Sequence, residues 1–227
     1  MKALFVNGSP RKGWSTAQML ESTMKGATEA GAEAELIHLY DTAFKGCVSC
    51  FACKKKNSKT NGLCAFKDSL TPILEKAHEA DIIVIGSPIY FSYPTGPVRS
   101  FMERLMFPVL TYNAKVDEKT GELESSILNK TIPTAMIYTM GCPEDMMKES
   151  HYPEIFGETS RFLEMLFGYT ETLCTNNTYQ FDNYDKYDVA EYVEPMRAKQ
   201  RDEQYPKDLQ SAYELGKRLV QKAEEFI

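Results

Sequence analysis

The sequence predicts a doubly wound α/β domain built on a five-stranded parallel sheet. Three observations lead there. Short apolar or β-branched runs alternate with longer amphipathic stretches, the richest β-branched runs fall mid-chain, and small, polar or proline residues follow them. Lys2 to Val6 (KALFV) reads as the first strand. Asn7 to Thr16 then forms a turn of small and polar residues, with Ser15 or Thr16 capping a helix that reaches about Ala30. Ala32 to Leu39 (AEAELIHL) alternates apolar and polar residues as a second strand, and Tyr40 to Gly46 is its exit loop. The segment carrying Cys47, Cys50, Cys53 and Cys64 is too rich in Lys, Gly, Ser and Asn for a buried strand.

Asp68 to Ala80 reads as a helix with Leu70, Ile73, Leu74 and Ala77 on one face and Pro72 in its first turn. Asp81 to Gly86 (DIIVIG) is a continuous apolar run suited to a central strand covered on both faces. A loop over Ser87 to Gly96 and a helix opening at Pro97 follow, then a mobile or hairpin-like excursion over Thr111 to Asn129. Ile132 to Thr139 is the next buried strand, Gly141 to Ile155 a loop, Ser160 to Phe167 a helix and Glu171 to Thr175 the last strand. Asn176 to Asp188 is polar and aromatic without a clear period, and Leu209 to Phe226 closes the chain as an amphipathic helix. The expected organisation is one domain over residues 1–227, with a Cys-rich loop at 46–67 and a C-terminal excursion at 176–204.

Composition narrows the function. With 227 residues, 43% of them hydrophobic, the chain can bury one good core. A net charge of −6 argues against a general nucleic-acid surface, which needs a basic excess. No apolar stretch approaches the roughly 18 residues of a membrane span, and the opening does not read as a signal peptide. A cytoplasmic location is expected, with free or metal-bound thiols in place of disulfides.

Ligands of an open parallel sheet sit beyond the C-terminal strand ends, where the strand order reverses. Three loops there carry suitable chemistry. In the first, Ser9 to Thr16, free N–H groups and the helix dipole favour a phosphate; Ser9, Ser15 and Thr16 add hydroxyls, while Arg11 and Lys12 add charge. It matches neither the dinucleotide-binding nor the nucleoside-triphosphate glycine pattern. The second loop is Pro88-Ile89-Tyr90-Phe91, where Pro88 and Pro94 fix the backbone and free peptide groups face a heterocycle edge. In the third, Thr139-Met140-Gly141, glycine permits close backbone approach. Together they describe a mononucleotide with a flat ring; taken alone, Tyr90, Phe91 and Tyr93 also suit packing against the Pro97 helix. His38, His78 and His151 lack metal-site spacing, although His151 could reach a substrate if its loop folds over the ring. No G-x-S-x-G elbow supports a serine hydrolase.

Four segments occur in family order: GSPRKGWST (Gly8 to Thr16), GCVSCFAC (Gly46 to Cys53), Cys64 with Asp68, and SPIYFSYPTGPVRSFMERL (Ser87 to Leu105). As a set they resemble the flavodoxin-like NADPH-dependent FMN reductase family, close to its iron–sulfur flavoprotein branch. The resemblance implies a flavodoxin-like three-layer sandwich in which Ser9, Arg11, Ser15 and Thr16 hold the FMN phosphate. Pro88 to Phe91 would border the isoalloxazine, and Thr139 to Gly141 would reach its other side. It further implies hydride taken from NAD(P)H and electrons passed to a flavin, a quinone or another acceptor, in a homodimer or homotetramer. The alternative is a non-enzymatic electron carrier.

Cys47-x-x-Cys50-x-x-Cys53 followed by Cys64 resembles the ligand run of a 4Fe–4S cluster. Zinc, or free redox-active thiols, are the other readings. In cluster-bearing members the last gap is shorter than the ten residues found here. Lys45, Lys54, Lys55, Lys56, Lys59 and Lys67 surround the cysteines, a setting that would stabilise thiolates or receive an acidic redox protein or the phosphates of NADPH. Cys142 and Cys174 read as buried, inert residues.

Overall fold

The computed structural model describes residues 1–116, 121 and 123–226. Walking the chain, β1 (Lys2–Asn7) leads to α1 (Ser15–Glu29), β2 (Glu33–His38), α2 (Thr71–Glu79) and β3 (Ile82–Tyr90). A two-residue strand β4 (Tyr93–Pro94) precedes α3 (Gly96–Val109), and β5 (Leu110–Val116) pairs with β6 (Leu123–Ser126) as a hairpin. Next come β7 (Ile132–Thr139), α4 (Glu144–Glu149), α5 (Tyr152–Phe167), β8 (Gly168–Thr175), α6 (Val193–Lys199) and α7 (Tyr205–Glu224).

Strands β2, β1, β3, β7 and β8 lie side by side in that order, every pair parallel. This is the flavodoxin-like doubly wound arrangement. Burial follows position: β7 is buried along its whole length, whereas β2, at the edge, alternates exposed and half-buried residues. The two-residue period of a strand sends Leu4 and Val6 to one face and Phe5 to the other. On the first face Ile83, Ile85 and Tyr138 pack with Ile73 of α2, Phe101 of α3 and Leu163 of α5. On the opposite face Val84 and Ile137 join Met19 and Leu20 of α1 and Leu215 and Leu219 of α7.

Helices α1 and α7 touch through glycine. A Cβ at Gly26 would lie 1.9 Å from the Tyr213 carbonyl oxygen, and one at Gly216 would lie 2.0 Å from that of Thr23. Backbone cannot yield as a side-chain tip can. Gly26→Ala is therefore expected to destabilise the protein by about 1–3 kcal/mol, the usual cost of overpacking, despite the better helix propensity of alanine. Denaturant unfolding measures it; an unchanged midpoint would show that the two helices can part freely.

Several boundaries differ from the sequence expectation. Trp14, not Ser15 or Thr16, is the N-cap of α1, and no side chain caps that end. β3 continues through Ser87 to Tyr90, where a loop was expected, because Pro88 pairs with Thr139 without needing to donate a hydrogen bond. The expected loop over Gly141 to Ile155 contains α4 and the first turn of α5, which opens with Pro153. Residues 117–120 and 122 of the Thr111 to Asn129 excursion lie outside the described residues.

Candidate functional site

Strand order reverses between β1 and β3, so the chains leaving their C-terminal ends diverge around a crevice. Buried polar contacts fix its shape. The Gly8 N–H donates to the Gly86 carbonyl at 2.8 Å. The Thr95 hydroxyl donates to the Gly8 carbonyl at 2.9 Å, and the Thr95 N–H to Ser87 Oγ at 3.0 Å. Asn7 holds the turn from beneath: its Oδ1 accepts the Ser9 N–H at 2.8 Å, and its amide nitrogen meets His38 Nδ1 at 3.0 Å. Ser9 Oγ then accepts the Arg11 N–H at 3.1 Å. The helix that follows starts uncapped, so its first-turn N–H groups have no intrahelical partner. Thr16 ties it to β7 through a 2.7 Å hydroxyl contact with Thr139.

The structure brings the three loops around one cavity of about 220 Å³. Ser9, Arg11, Ser15 and Thr16 line it from the first loop, Pro88, Ile89 and Tyr90 from the second, and Thr139, Met140 and Gly141 from the third. Two of the expected residues stand apart. Lys12 pairs with Asp41 at 2.7 Å and is not part of the lining. Phe91 is 98% exposed, at the tip of the β3–β4 turn, where it and Ser92 have φ of 50° and 71°.

The sequence reading missed one wall. Trp14 and the stretch Thr178 to Phe181 also line the cavity. That stretch is the start of the C-terminal excursion, folded back over the strand ends. Buried Arg197 of α6 reaches the Thr178 carbonyl at 3.3 Å, the Tyr184 hydroxyl at 3.1 Å and the Gly141 carbonyl at 3.4 Å. Tyr184 Oη in turn accepts the Gln180 N–H at 3.1 Å. Arg11 closes the join: its guanidinium donates to the Gln180 carbonyl and lies 4.7 Å from the Trp14 ring centroid. The aromatic density of 179–187 was visible in the sequence, but the arginine that folds it inward lies a helix away.

The cysteine segment is arranged differently. Cys47 and Cys50 are exposed, and Cys53 and Cys64 are half-buried. Among the described residues, no three His, Cys, Asp or Glu side chains come together as a metal site. Cys53 nonetheless lies close enough to Cys50 and Cys64 for their charges to be felt at its thiol. Local electrostatics also depart from expectation, because burial pushes the Cys53 thiol up despite the opposing charge of Lys54. Lys54 is itself tucked away, bonded to the Leu110 carbonyl and 4.7 Å from the Phe107 ring centroid. The mooring comes from α3, where Glu103 accepts the Cys47 N–H at 3.0 Å. Arg104 donates to the Lys45 carbonyl at 3.1 Å, the Phe66 carbonyl at 2.6 Å and Asp68 at 2.6 Å. One guanidinium thus binds both ends of the loop.

Other sequence candidates stay outside the cavity. His151 is exposed beside Glu154, at 3.4 Å. Cys142 and Cys174 are half-buried, and burial raises both thiols, Cys174 to about 11, as suits unreactive residues.

A family model described as NADPH-dependent FMN reductase matches residues 1–123, more than half of the 227-residue chain. The chain belongs to this family. Among its relatives is an iron–sulfur flavoprotein of Archaeoglobus fulgidus, 44% identical over 104 residues, which are 46% of this chain and 48% of that protein. Another, from Methanocaldococcus jannaschii, is 34% identical over 104 residues, 46% of this chain and 51% of the relative. The chain thus spans about half the length of the curated relatives it matches. Similar solved folds include an NAD(P)H:quinone oxidoreductase from Methanothermobacter marburgensis, with a TM-score of 0.64 and 15% identity over 96% of this chain and 98% of that one. An azoreductase from Bacillus anthracis gives 0.63 and 14% identity over 96% and 99%. At such identities these two show that this FMN reductase family member shares their fold. Among its described residues no helix is long and apolar enough to cross a membrane.

Proposed function

We propose that this chain binds FMN at the rim and works as an NAD(P)H-dependent flavin oxidoreductase. The observation that carries the reading is the convergence of the phosphate-type turn with two peptide-edged loops on one cavity at the sheet's reversal point. The residues fit such a group: an uncapped helix end, the Ser9 and Ser15 hydroxyls and the Arg11 guanidinium offer donors to a phosphate dianion. At about 220 Å³ the cavity falls below the roughly 300–1,000 Å³ of an enclosing ligand pocket. That suits a groove that leaves one ring face open, or that a second copy of the chain completes.

Bound FMN supplies the hydride-accepting ring nitrogen and the redox couple. The chain's own part is positional. The Gly141 peptide N–H would face negative charge on the ring edge, whereas those of Ile89 and Tyr90, expected free, are taken up in pairing with β7 and β4. Thr16 bonded to Thr139 keeps the phosphate turn in register with β7. The open side admits NAD(P)H and then an acceptor, a flavin, a quinone or another oxidant. The exposed Lys45, Lys55, Lys56 and Lys59 suit an acidic redox protein as a further acceptor.

The freshly purified protein is expected to show flavin absorption bands or to take up added FMN stoichiometrically; the absence of both bands and uptake would end this reading. Stopped-flow mixing with NADPH and with NADH is expected to bleach those bands within the turnover time. Bleaching only by a reduced partner protein would make the chain an electron carrier instead.

A further inference from the structure

Trp14, Ser15, Thr178, Tyr179 and Phe181 line a second cavity as well as the first. This neighbour, of about 350 Å³, lies within the usual range for a small-molecule pocket. Tyr205, Gln200 and Arg201, from the end of the C-terminal excursion and the start of α7, form its far side. Its walls are braced: the Tyr205 hydroxyl donates to Gln18 Oε1 at 2.7 Å, and Gln18 Nε2 donates to the Gly13 carbonyl at 3.0 Å. The Arg201 guanidinium lies 4.7 Å from the Tyr179 ring centroid. Gln200 is half-buried, yet its side-chain amide makes no hydrogen bond among the described residues.

The chemistry of this lining is specific. Four aromatic rings favour a flat π system. A free primary amide matches the paired acceptor and donor that adenine presents at N7 and N6. Arg201 brings a positive charge that Asp202, bonded to its Nε at 2.9 Å, already offsets, and Asp182 also lines the cavity, so a phosphate is left to the first turn of α1 rather than to the arginine. The first turn of α1 borders both cavities, so a phosphate held there stands at the boundary between them.

We propose that the second cavity takes the adenosine 5′-phosphate half of a dinucleotide. The inference rests on the flavin reading for the group to which that half is joined, and not for the cavity itself. Two ligands carry it, FAD through its flavin phosphate and NAD(P)H as cosubstrate.

The chain's single tryptophan, Trp14, lines both cavities, so its response is assigned to the second by comparing the free protein with the FMN-loaded one, in which the first is filled. Titrating the protein as purified, and after FMN loading, with adenosine 5′-monophosphate is expected to give a saturable change. Uridine 5′-monophosphate should bind about tenfold more weakly. Tyr179→Ala should weaken the adenine nucleotide about tenfold and Gln200→Ala about fivefold, in line with one lost ring contact or hydrogen bond. Chromatography of the released flavin separates the sources. Retention of FAD over FMN assigns the cavity to the flavin, whereas FMN retention with adenosine monophosphate competing against NAD(P)H assigns it to the cosubstrate. No saturable change at millimolar nucleotide, or equal binding of the adenine and uracil nucleotides and ribose 5-phosphate, overturns the proposal. Absence of flavin alongside saturable adenine binding would remove the flavin reading and leave this cavity standing.

Discussion

Arg104→Ala is expected to lower unfolding stability by about 3–5 kcal/mol, the range for breaking a buried ion pair from one side. The Arg104 side chain is 0% exposed and that of Asp68 is 18% exposed, so water only partly replaces the lost partner. The substitution also strips the Lys45 and Phe66 carbonyls of their donor. Because those carbonyls stand at the two ends of the Cys-rich loop, alkylation of Cys53 and Cys64 is expected to accelerate in the variant while the rest of the fold keeps its circular dichroism. Arg104→Lys should recover little, since one ammonium cannot span three acceptors in the geometry of a guanidinium fork. The pair also sets an acid limit. Burial acts to raise the Asp68 carboxyl, but the Arg104 hydrogen bond and charge and the Leu70 N–H outweigh it, holding the pKa below the ordinary value. A depressed folded-state pKa contributes stability that is complete above the unfolded value of about 3.9, and that is lost as pH falls through the lower folded value. Unfolding midpoints should therefore decline less steeply below about pH 4 in Arg104→Ala than in the parent. Equal acid limbs would mean that Asp68 draws its low pKa from elsewhere.

What the sequence made legible was local. Asp81 to Gly86 and Ile132 to Thr139 announced buried central strands because both faces must be apolar there, and the sheet places β3 and β7 side by side. The Ser9 to Thr16 turn was readable because its chemistry lies within one short segment. Pro88 misled by the opposite logic: it reads as a breaker, yet in β3 its missing N–H costs little and the strand continues to Tyr90. Helix α5 begins earlier than its apolar period shows, because Tyr152-Pro153 looks like loop in sequence although proline favours a first helical turn. The cavity's fourth wall was out of reach for a different reason. It depends on Arg197 meeting Gly141 and Tyr184, contacts of 56 and 13 residues' separation that no spacing rule encodes. The cysteine run was legible as a spacing, but the contacts that moor its loop, Glu103 to Cys47 and Arg104 to Asp68, span 56 and 36 residues and are encoded by no spacing rule.

Arg11→Ala is expected to weaken FMN binding about 10- to 30-fold, the lower part of the range for a hydrogen bond to a charged group, because Arg11 is exposed and solvent screens its charge. Two roles compete for this side chain. It offers donors to a phosphate at the uncapped start of α1, and it already bonds the Gln180 carbonyl while covering the Trp14 ring. Fluorescence titrations with FMN and with riboflavin separate them, since riboflavin lacks the phosphate but needs the same wall. A loss confined to FMN, steepening at low salt, assigns Arg11 to the phosphate. An equal loss for both ligands makes it the fastener of the 178–181 wall, with the helix end and the Ser9 and Ser15 hydroxyls left to hold the anion. Arg11→Lys sharpens the distinction: a point charge keeps much of the attraction to a dianion, but it cannot also reproduce the planar stack on Trp14 and the bond to Gln180. The variant should therefore bind FMN nearly as the parent does if charge is what matters, and as the alanine variant does if the wall is.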